Sequence, residues 1–281
     1  MTNNFSRDFF SSSDRRAPYE YRVAADCIIP CLTRWGVKLQ DMQVLDLGCG
    51  SGGVVVGLAE SGARCLGLDR NDSHIRQARR MASDHGVDAK FGCIDALDFD
   101  QLRSKLDGKR FDLIVLSEFV EHLVNDRNVA EILGSLKRYL SPNGYVYVSF
   151  PPWFNPFAGH QAGWPVIRFI PWFHIMPDIL KYVIVPTHTG RYLKFAQELN
   201  RLTISSFEQI LSQIPFSIIK KELFHLRPEF KLRYRVPRVR SSILGQIPII
   251  REITTTGAFY LLGLRDHEMT FGAKGHSEPW P

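Results

Sequence analysis

The chain has 281 residues, 44% of them apolar and 23% charged, which excludes a peptide scaffold or a disordered chain and suffices for one large α/β domain or two small ones. Its net charge of +6 is unevenly placed, because six cations face one acid between residues 227 and 240. Five cysteines, all in the first 93 residues and without CxxC spacing, exclude a disulfide framework and a zinc ribbon.

The opening MTNNFSRDFFSSSDRR lacks the apolar run of a secretory signal, so residues 1–16 read as a polar tail and the protein as cytoplasmic. Short apolar runs at Val44–Leu47, Arg64–Asp69, Ala89–Asp95 and Phe111–Ser117 read as buried strands, and a fifth, Tyr145–Phe150, follows the turn Pro142-Asn143-Gly144. Between them apolar residues recur at helical spacing, first at Ile75, Ala78, Met81 and Ala82, then at Val129, Ile132, Leu133, Leu136 and Leu140. Strand and helix alternating in this way predict an α/β core over about 18–150, with helices on both faces of a parallel sheet.

The alternation stops at Pro151, and 151–202 read as a Pro- and aromatic-rich insertion at the sheet edge where active sites of open α/β folds form. Its most apolar part, Trp164–Pro186, is broken by Pro165, Pro171 and Pro177 and carries Arg168, Asp178 and Lys181, so no spanning helix is expected. Two readings stay open: a buried lid, or peripheral contact with the inner membrane face through Trp164, Trp172 and Phe173. The core resumes over about 203–265. Ser205-Ser206-Phe207-Glu208 fits a capping box opening a helix through Ile214, followed by strands at Phe216–Leu226 and Ala258–Leu264. Phe230 to Val236 alternates apolar and cationic residues, the period of a half-buried strand with a basic face. Such a face suits phosphate, anionic lipid, RNA or plain solvent; no recognised RNA-binding module accompanies it, so nucleic acid is not the expected partner. Residues 267–281 read as a second tail.

The strongest signal is Val44-Leu45-Asp46-Leu47-Gly48-Cys49-Gly50-Ser51-Gly52-Gly53, a buried strand running into a glycine loop and then a helix. Glycines let a backbone turn tightly against a ligand, and the helix N-terminus offers free N–H groups. Acids end the next two strand runs. Asp69 is placed to accept ribose hydroxyls and Asp95 to meet an adenine amino group, which predicts an adenosine-containing ligand. A nicotinamide dehydrogenase competes, but its loops usually read G-x-G-x-x-G, whereas this one reads Gly48-x-Gly50-x-Gly52.

These motifs, with Gly67-Leu68-Asp69, Cys93-Ile94-Asp95-Ala96, Phe111-Asp112-Leu113-Ile114 and Ser141-Pro142-Asn143-Gly144, resemble the class I S-adenosylmethionine-dependent methyltransferases over about the first 150 residues. The resemblance implies a Rossmann-like, doubly wound sheet of seven strands with the last antiparallel, for which Ala258–Leu264 is the candidate. It implies S-adenosylmethionine as cofactor, its methionine part held by Asp46, Gly48 and Gly50. Cys49, Gly52, Arg70, Ala96, Ser117 and Glu118 complete the expected cofactor-binding set with Asp69 and Asp95.

After the fourth strand comes Ser117-Glu118-Phe119-Val120-Glu121-His122-Leu123. On a helix Glu118, Glu121 and His122 share one face, and paired carboxylates call for a cation or a shared proton. The E-x-x-E-H pattern resembles that of ubiquinone-biosynthesis O-methyltransferases and small-RNA 3′-terminal 2′-O-methyltransferases. That implies a divalent metal (Mg, Mn or Zn) on Glu118, Glu121, His122 and a distant histidine, for which His160 is the candidate. A metal-free site with His122 or His160 as general base, assisted by Glu121, stays open beside it. Phe150 to Phe157 is expected to wall the acceptor pocket. Gly159-His160, Leu226 to Tyr234 and Ile250 to Gly257 look like bacterial methyltransferases found with surface-polysaccharide assembly. The expected acceptor is therefore a small molecule, a sugar or a lipid-linked glycan.

Overall fold

The computed structural model describes residues 13–164, 166–241 and 247–265; the expected tail 267–281 and most of the expected tail 1–16 lie outside them. Ser13 to Arg16, assigned to that tail, instead open a helix, α1 (Ser13–Val23), which continues through a π turn (Ala24–Ile28) into α2 (Ile29–Arg34). The alternating core follows as β1 (Gln43–Leu47), α3 (Gly53–Glu60), β2 (Arg64–Asp69), α4 (Asp72–Asp84), β3 (Ala89–Cys93), α5 (Phe99–Leu106), β4 (Phe111–Ser117), α6 (Asp126–Leu136) and β5 (Leu140–Phe150). The insertion holds three short 3-10 turns, α7 (Asp178–Ile184) and α8 (Thr189–Gln197). The chain then returns through α9 (Ile204–Gln213), β6 (Phe216–Leu226), α10 (Glu229–Tyr234), β7 (Val239–Arg240), α11 (Pro248–Thr254) and β8 (Gly257–Leu264).

The strands form one sheet in the order β3-β2-β1-β4-β5-β8-β6-β7. β3, β2, β1, β4 and β5 pair in parallel, and β8 lies antiparallel between β5 and β6. The antiparallel final strand is therefore where the sequence put it. An eighth strand, the two-residue β7, pairs with the outer edge of β6; so short a pairing leaves almost no periodicity to read.

Alternate residues of the central strands feed two cores. Ile114, Leu116, Val146 and Val148 pack with Val129, Ile132 and Leu133 of α6 and Phe207 of α9, while Leu113, Val115 and Tyr147 face Val55, Val56 and Leu58 of α3. That is the two-sided burial expected of central parallel strands. Helices start where polar side chains satisfy their free amides: Asn71 accepts from Ser73 N at 2.9 Å and Asn125 from Asn128 N at 3.0 Å.

Two local expectations are corrected. The capping box of α9 is Thr203 with Ser206, not Ser205 with Glu208; Ser206 N donates to Thr203 Oγ1 at 2.9 Å, and the Ser206 hydroxyl receives Thr203 N–H at 3.0 Å. Ser205 serves a different bond, its amide and hydroxyl both donating to Glu252. The predicted strand 230–236 is the helix α10. Pro228 already has helical dihedrals, and Phe230 and Tyr234, four apart, meet on one face with ring centroids 5.4 Å apart. Apolar residues at i, i+2 and i+4 satisfy a strand period and a helix's i, i+4 pairing alike, and a proline at the start decides for the helix.

Candidate active site

At the carboxyl ends of β1 and β4 lies a cavity of about 460 Å³. Asp46, Gly48 and Cys49 line it from the glycine loop, Ser117, Glu118 and His122 from beyond β4, and Pro151, Asn155, Phe157, His160, Trp164 and Phe195 from the insertion. Arg16, Tyr19 and Glu20 of α1 close one side, and Arg227, Glu229, Phe230 and Tyr234 another.

The glycine loop is shaped by what presses on it. Gly48 has φ 83°, and a Cβ there would overlap the Phe119 ring, so only glycine fits a backbone that turns in left-handed geometry beneath a side chain. Gly52 packs against Ala78 of α4, and Gly53, the first residue of α3, lies against the Ala17 carbonyl and the Tyr21 amide of α1. α1 therefore sits directly on the start of α3.

Three carboxylates converge on this loop. Asp46 is 3% exposed, and its Oδ2 has no hydrogen-bond partner among the described residues. Burial first, then the neighbouring Glu20 and Asp69, push its carboxyl well above the usual range. Glu20 receives Gly53 N–H at 3.3 Å and Arg16 Nε–H at 2.7 Å, and burial still raises it. Asp69 goes the other way. Burial opposes its charge, but bonds from His74, Asn71 N at 2.8 Å and Gly50 N at 3.0 Å together hold it below the usual range. The cavity thus offers a buried acidic pocket suited to a cationic group.

Asp95 and Arg70 lie apart from this cavity. They line an open depression with Asn71, Cys93 and Gln101, where Asp95 accepts Leu97 N–H at 3.0 Å. Ala96 is buried in the core beneath. Asp69, at the end of β2, precedes Arg70 and accepts the Gly50 N–H of the glycine loop.

The Glu/Glu/His run does not form the expected face. Glu118 takes a left-handed conformation at φ 51°, and only Val120–His122 are helical, as a single 3-10 turn. The cause is an ion pair: Arg227 Nη1 donates to both Glu118 oxygens at 2.9 Å, and Arg227 Nε lies 4.0 Å from Glu229. Glu118 is thereby engaged with Arg227 and stays outside the close cluster of possible ligand atoms. Glu121, His122 and His160 do come together, with potential ligand atoms all within 4.8 Å of one another. The two imidazole centroids lie 4.7 Å apart, and His160 Nε2 is 3.7 Å from Glu121 Oε1. Both Glu121 oxygens are buried without a hydrogen-bond partner among the described residues, and burial, then Glu118, raises its carboxyl well above the usual range. Burial lowers His122, against the pull of Glu118, so its imidazole is neutral at neutral pH. A carboxylate with orphaned oxygens beside two imidazoles is a donor set that fits a divalent cation.

The sequence reading missed Arg16, Glu20 and Arg227. The i, i+4 spacing of Arg16 and Glu20 was visible, yet nothing local says that α1 reaches residue 53. Arg227 is 109 residues from Glu118, and no spacing rule joins them.

Residues 38–158 match a family described as "Methyltransferase domain". Ubiquinone biosynthesis O-methyltransferases from Histophilus somni and Bradyrhizobium diazoefficiens are 30% and 32% identical to the chain over 111 residues each, 40% of its length. That stretch covers 45% and 40% of those proteins, so the chain matches less than half of their length. Magnesium protoporphyrin IX methyltransferase from Synechocystis, solved with bound SAH, superposes with a TM-score of 0.52 at 14% identity, covering 91% of this chain and 96% of that one. An S-adenosylmethionine dependent methyltransferase from Mesorhizobium loti gives 0.52 at 20% identity, covering 83% and 95%. The glycine loop after β1, the antiparallel β8 and the match over 38–158 agree, and that part of the chain is similar to a methyltransferase domain.

Proposed function

We propose that the protein is an S-adenosylmethionine-dependent O-methyltransferase acting on a hydroxyl of a small molecule, sugar or lipid-linked glycan. One observation carries the reading: a single cavity holds both the acidic glycine loop and, from beyond β4 and β5, His122 and His160 beside the buried Glu121. The first is suited to a cationic amino acid and sulfonium, the second to an acceptor hydroxyl. The ubiquinone-biosynthesis relatives are named as O-methyltransferases, which supports oxygen over carbon or nitrogen as the accepting atom.

In this reading Asp46 and Glu20 take the cofactor's ammonium end, Asp69 its ribose, and Asp95 with Arg70 the adenine in the outer depression. Phe157, Trp164 and Phe195 exclude water from the sulfonium and the acceptor. The acceptor oxygen attacks the methyl carbon in line with the carbon–sulfur bond; the O–C bond forms as the C–S bond breaks, and S-adenosylhomocysteine leaves with the electron pair. Such a displacement is accelerated mainly by alignment and a dry pocket. Glu121, His122 and His160 would hold a divalent cation, which supplies Lewis acidity toward the acceptor hydroxyl. Glu118, tied to Arg227, serves the cavity wall instead of that cation. A metal-free form of the same site is supported by the lowered, neutral His122 imidazole, which can accept the hydroxyl proton directly.

The test is S-adenosylhomocysteine release over a panel of phenolic, sugar and polyprenyl-linked hydroxyl acceptors, with and without chelator and added Mg, Mn or Zn. His160→Ala should lower kcat by about 100-fold while leaving cofactor affinity within about twofold. Equal losses in both would remove His160 from the acceptor side. Turnover that ignores the chelator would assign the proton to His122 and remove the cation.

A further inference from the structure

Nine of the sixteen large apolar side chains exposed among the described residues fall within 166–184. The helix α7 is inverted: Ile179 and Val183 are 78% and 73% exposed, with Leu180 and Ile184 beside them, while the Lys181 side chain is 5% exposed and neutralised by Asp178 at 2.9 Å. A surface helix of a globular protein in water buries its apolar stripe and exposes its charges. Here the stripe formed by two i, i+4 pairs faces out and the lysine faces in. Phe169, Trp172 and Ile175 extend the exposed apolar surface along the chain, and the Arg168 guanidinium lies 4.6 Å over the Phe169 ring. So much clustered apolar surface marks a site that something covers.

Charge identifies the occupant. Residues 166–201 carry five cations against two acids, and one of those acids is already spent on Lys181. Arg191 and Lys194, three apart on α8, and Arg201 are exposed. Exposed apolar residues and exposed cations in one insertion, with the Arg168 guanidinium over an aromatic ring, complement the acyl boundary and headgroups of an anionic bilayer. No described helix is long and apolar enough to cross a membrane, so the contact lies in the plane of the surface. From these observations we infer that the 166–201 face docks on an anionic phospholipid membrane. It borders the catalytic cavity, since Trp164 and Phe195 of the same insertion line that cavity.

The inference is tested by sedimenting the full chain with vesicles of phosphatidylcholine alone or of equimolar phosphatidylcholine and phosphatidylglycerol. The wild type should pellet with the anionic vesicles and stay largely in solution with the neutral ones. Ile179→Asp with Val183→Asp should weaken that binding by at least about tenfold, and Arg191→Glu with Lys194→Glu should weaken it and flatten its salt dependence. Calorimetry with S-adenosylmethionine on the same variants should give unchanged affinity, which separates a failed membrane face from a failed cofactor site. Wild-type protein left in the supernatant with anionic vesicles, or the double aspartate variant pelleting like wild type, would overturn it. So would sedimentation velocity showing a dimer that the double aspartate variant breaks, because the face would then belong to a second copy of the chain.

Discussion

Arg227 grips Glu118 by two 2.9 Å hydrogen bonds from a single nitrogen and so keeps that carboxylate out of the group formed by Glu121, His122 and His160. Both side chains are sheltered, at 11% and 28% exposure, and Glu229 Oε2 lies 4.0 Å from the guanidinium Nε. Removing the cation leaves the Glu118 and Glu229 carboxylates without its compensating charge in a partly dry cavity. Arg227→Met should therefore destabilise the protein by about 3 kcal/mol, read as a fall in the urea midpoint. Glu118→Gln, which still accepts hydrogen bonds, should cost about 1 kcal/mol. Equal effects would show that the charge itself is not what holds Glu118 in its left-handed conformation.

In the proposed reading Asp46 ties cofactor binding to pH. Its carboxyl is raised in the folded protein, so its contribution to stability is present in acid and is lost as pH climbs from the ordinary carboxylate range through the folded value. A cationic ligand favours the ionised form, so its affinity should rise over that same climb, with protons released on binding. Asp46→Asn should weaken S-adenosylmethionine by about tenfold or more and flatten the pH dependence, both read by calorimetry from about pH 5 to 8. An unchanged slope in the variant would move the titration to Glu20.

Asp69 has a structural duty as well as an expected ligand. It accepts the amides of Gly50 and Asn71 and thereby fastens the glycine loop to the end of β2. Asp69→Ala should weaken cofactor binding by more than about tenfold, whereas Asp69→Asn, which keeps one acceptor oxygen, should recover part of it. Unchanged calorimetric affinity in the alanine variant would refute the ribose assignment.

Gly53 tests whether α1 belongs to the site. A Cβ there would overlap the α1 backbone at Ala17 and Tyr21 and crowd the Glu20 Cβ. Gly53→Ala should cost about 2 kcal/mol, make α1 susceptible to limited proteolysis and lower cofactor affinity by displacing Glu20. Proteolysis unchanged from wild type would mean that α3 shifts and α1 stays.

The core was legible because its signals are local and repeated. Val44–Leu47, Arg64–Asp69 and Phe111–Ser117 are short, mainly apolar runs that end in or lead into a polar residue or glycine, and the structure has strands at each. The site was legible only in part. His122 and His160 met as expected, but the helical face meant to align Glu118 with Glu121 did not form, because a cation from beyond β6 pulls Glu118 aside. The same long-range ordering hid Glu20, whose neighbours in sequence say nothing of Gly53, 33 residues away. Where period-2 and helical spacing coincide, as at Phe230, Leu232 and Tyr234, only the flanking Pro228 separated them.

Of the twenty-three residues lining the central cavity, thirteen lie outside the 38–158 match. In the proposed reading the shared segment supplies the loop beneath the donor, and the flanking pieces supply much of the remaining cavity wall. The donor is then held by the shared segment together with Glu20 of α1, whereas the acceptor also meets stretches that follow that segment. A chimera keeping 38–158 and importing 159–202 and 227–234 from another such protein should change what is accepted while leaving the donor's grip intact.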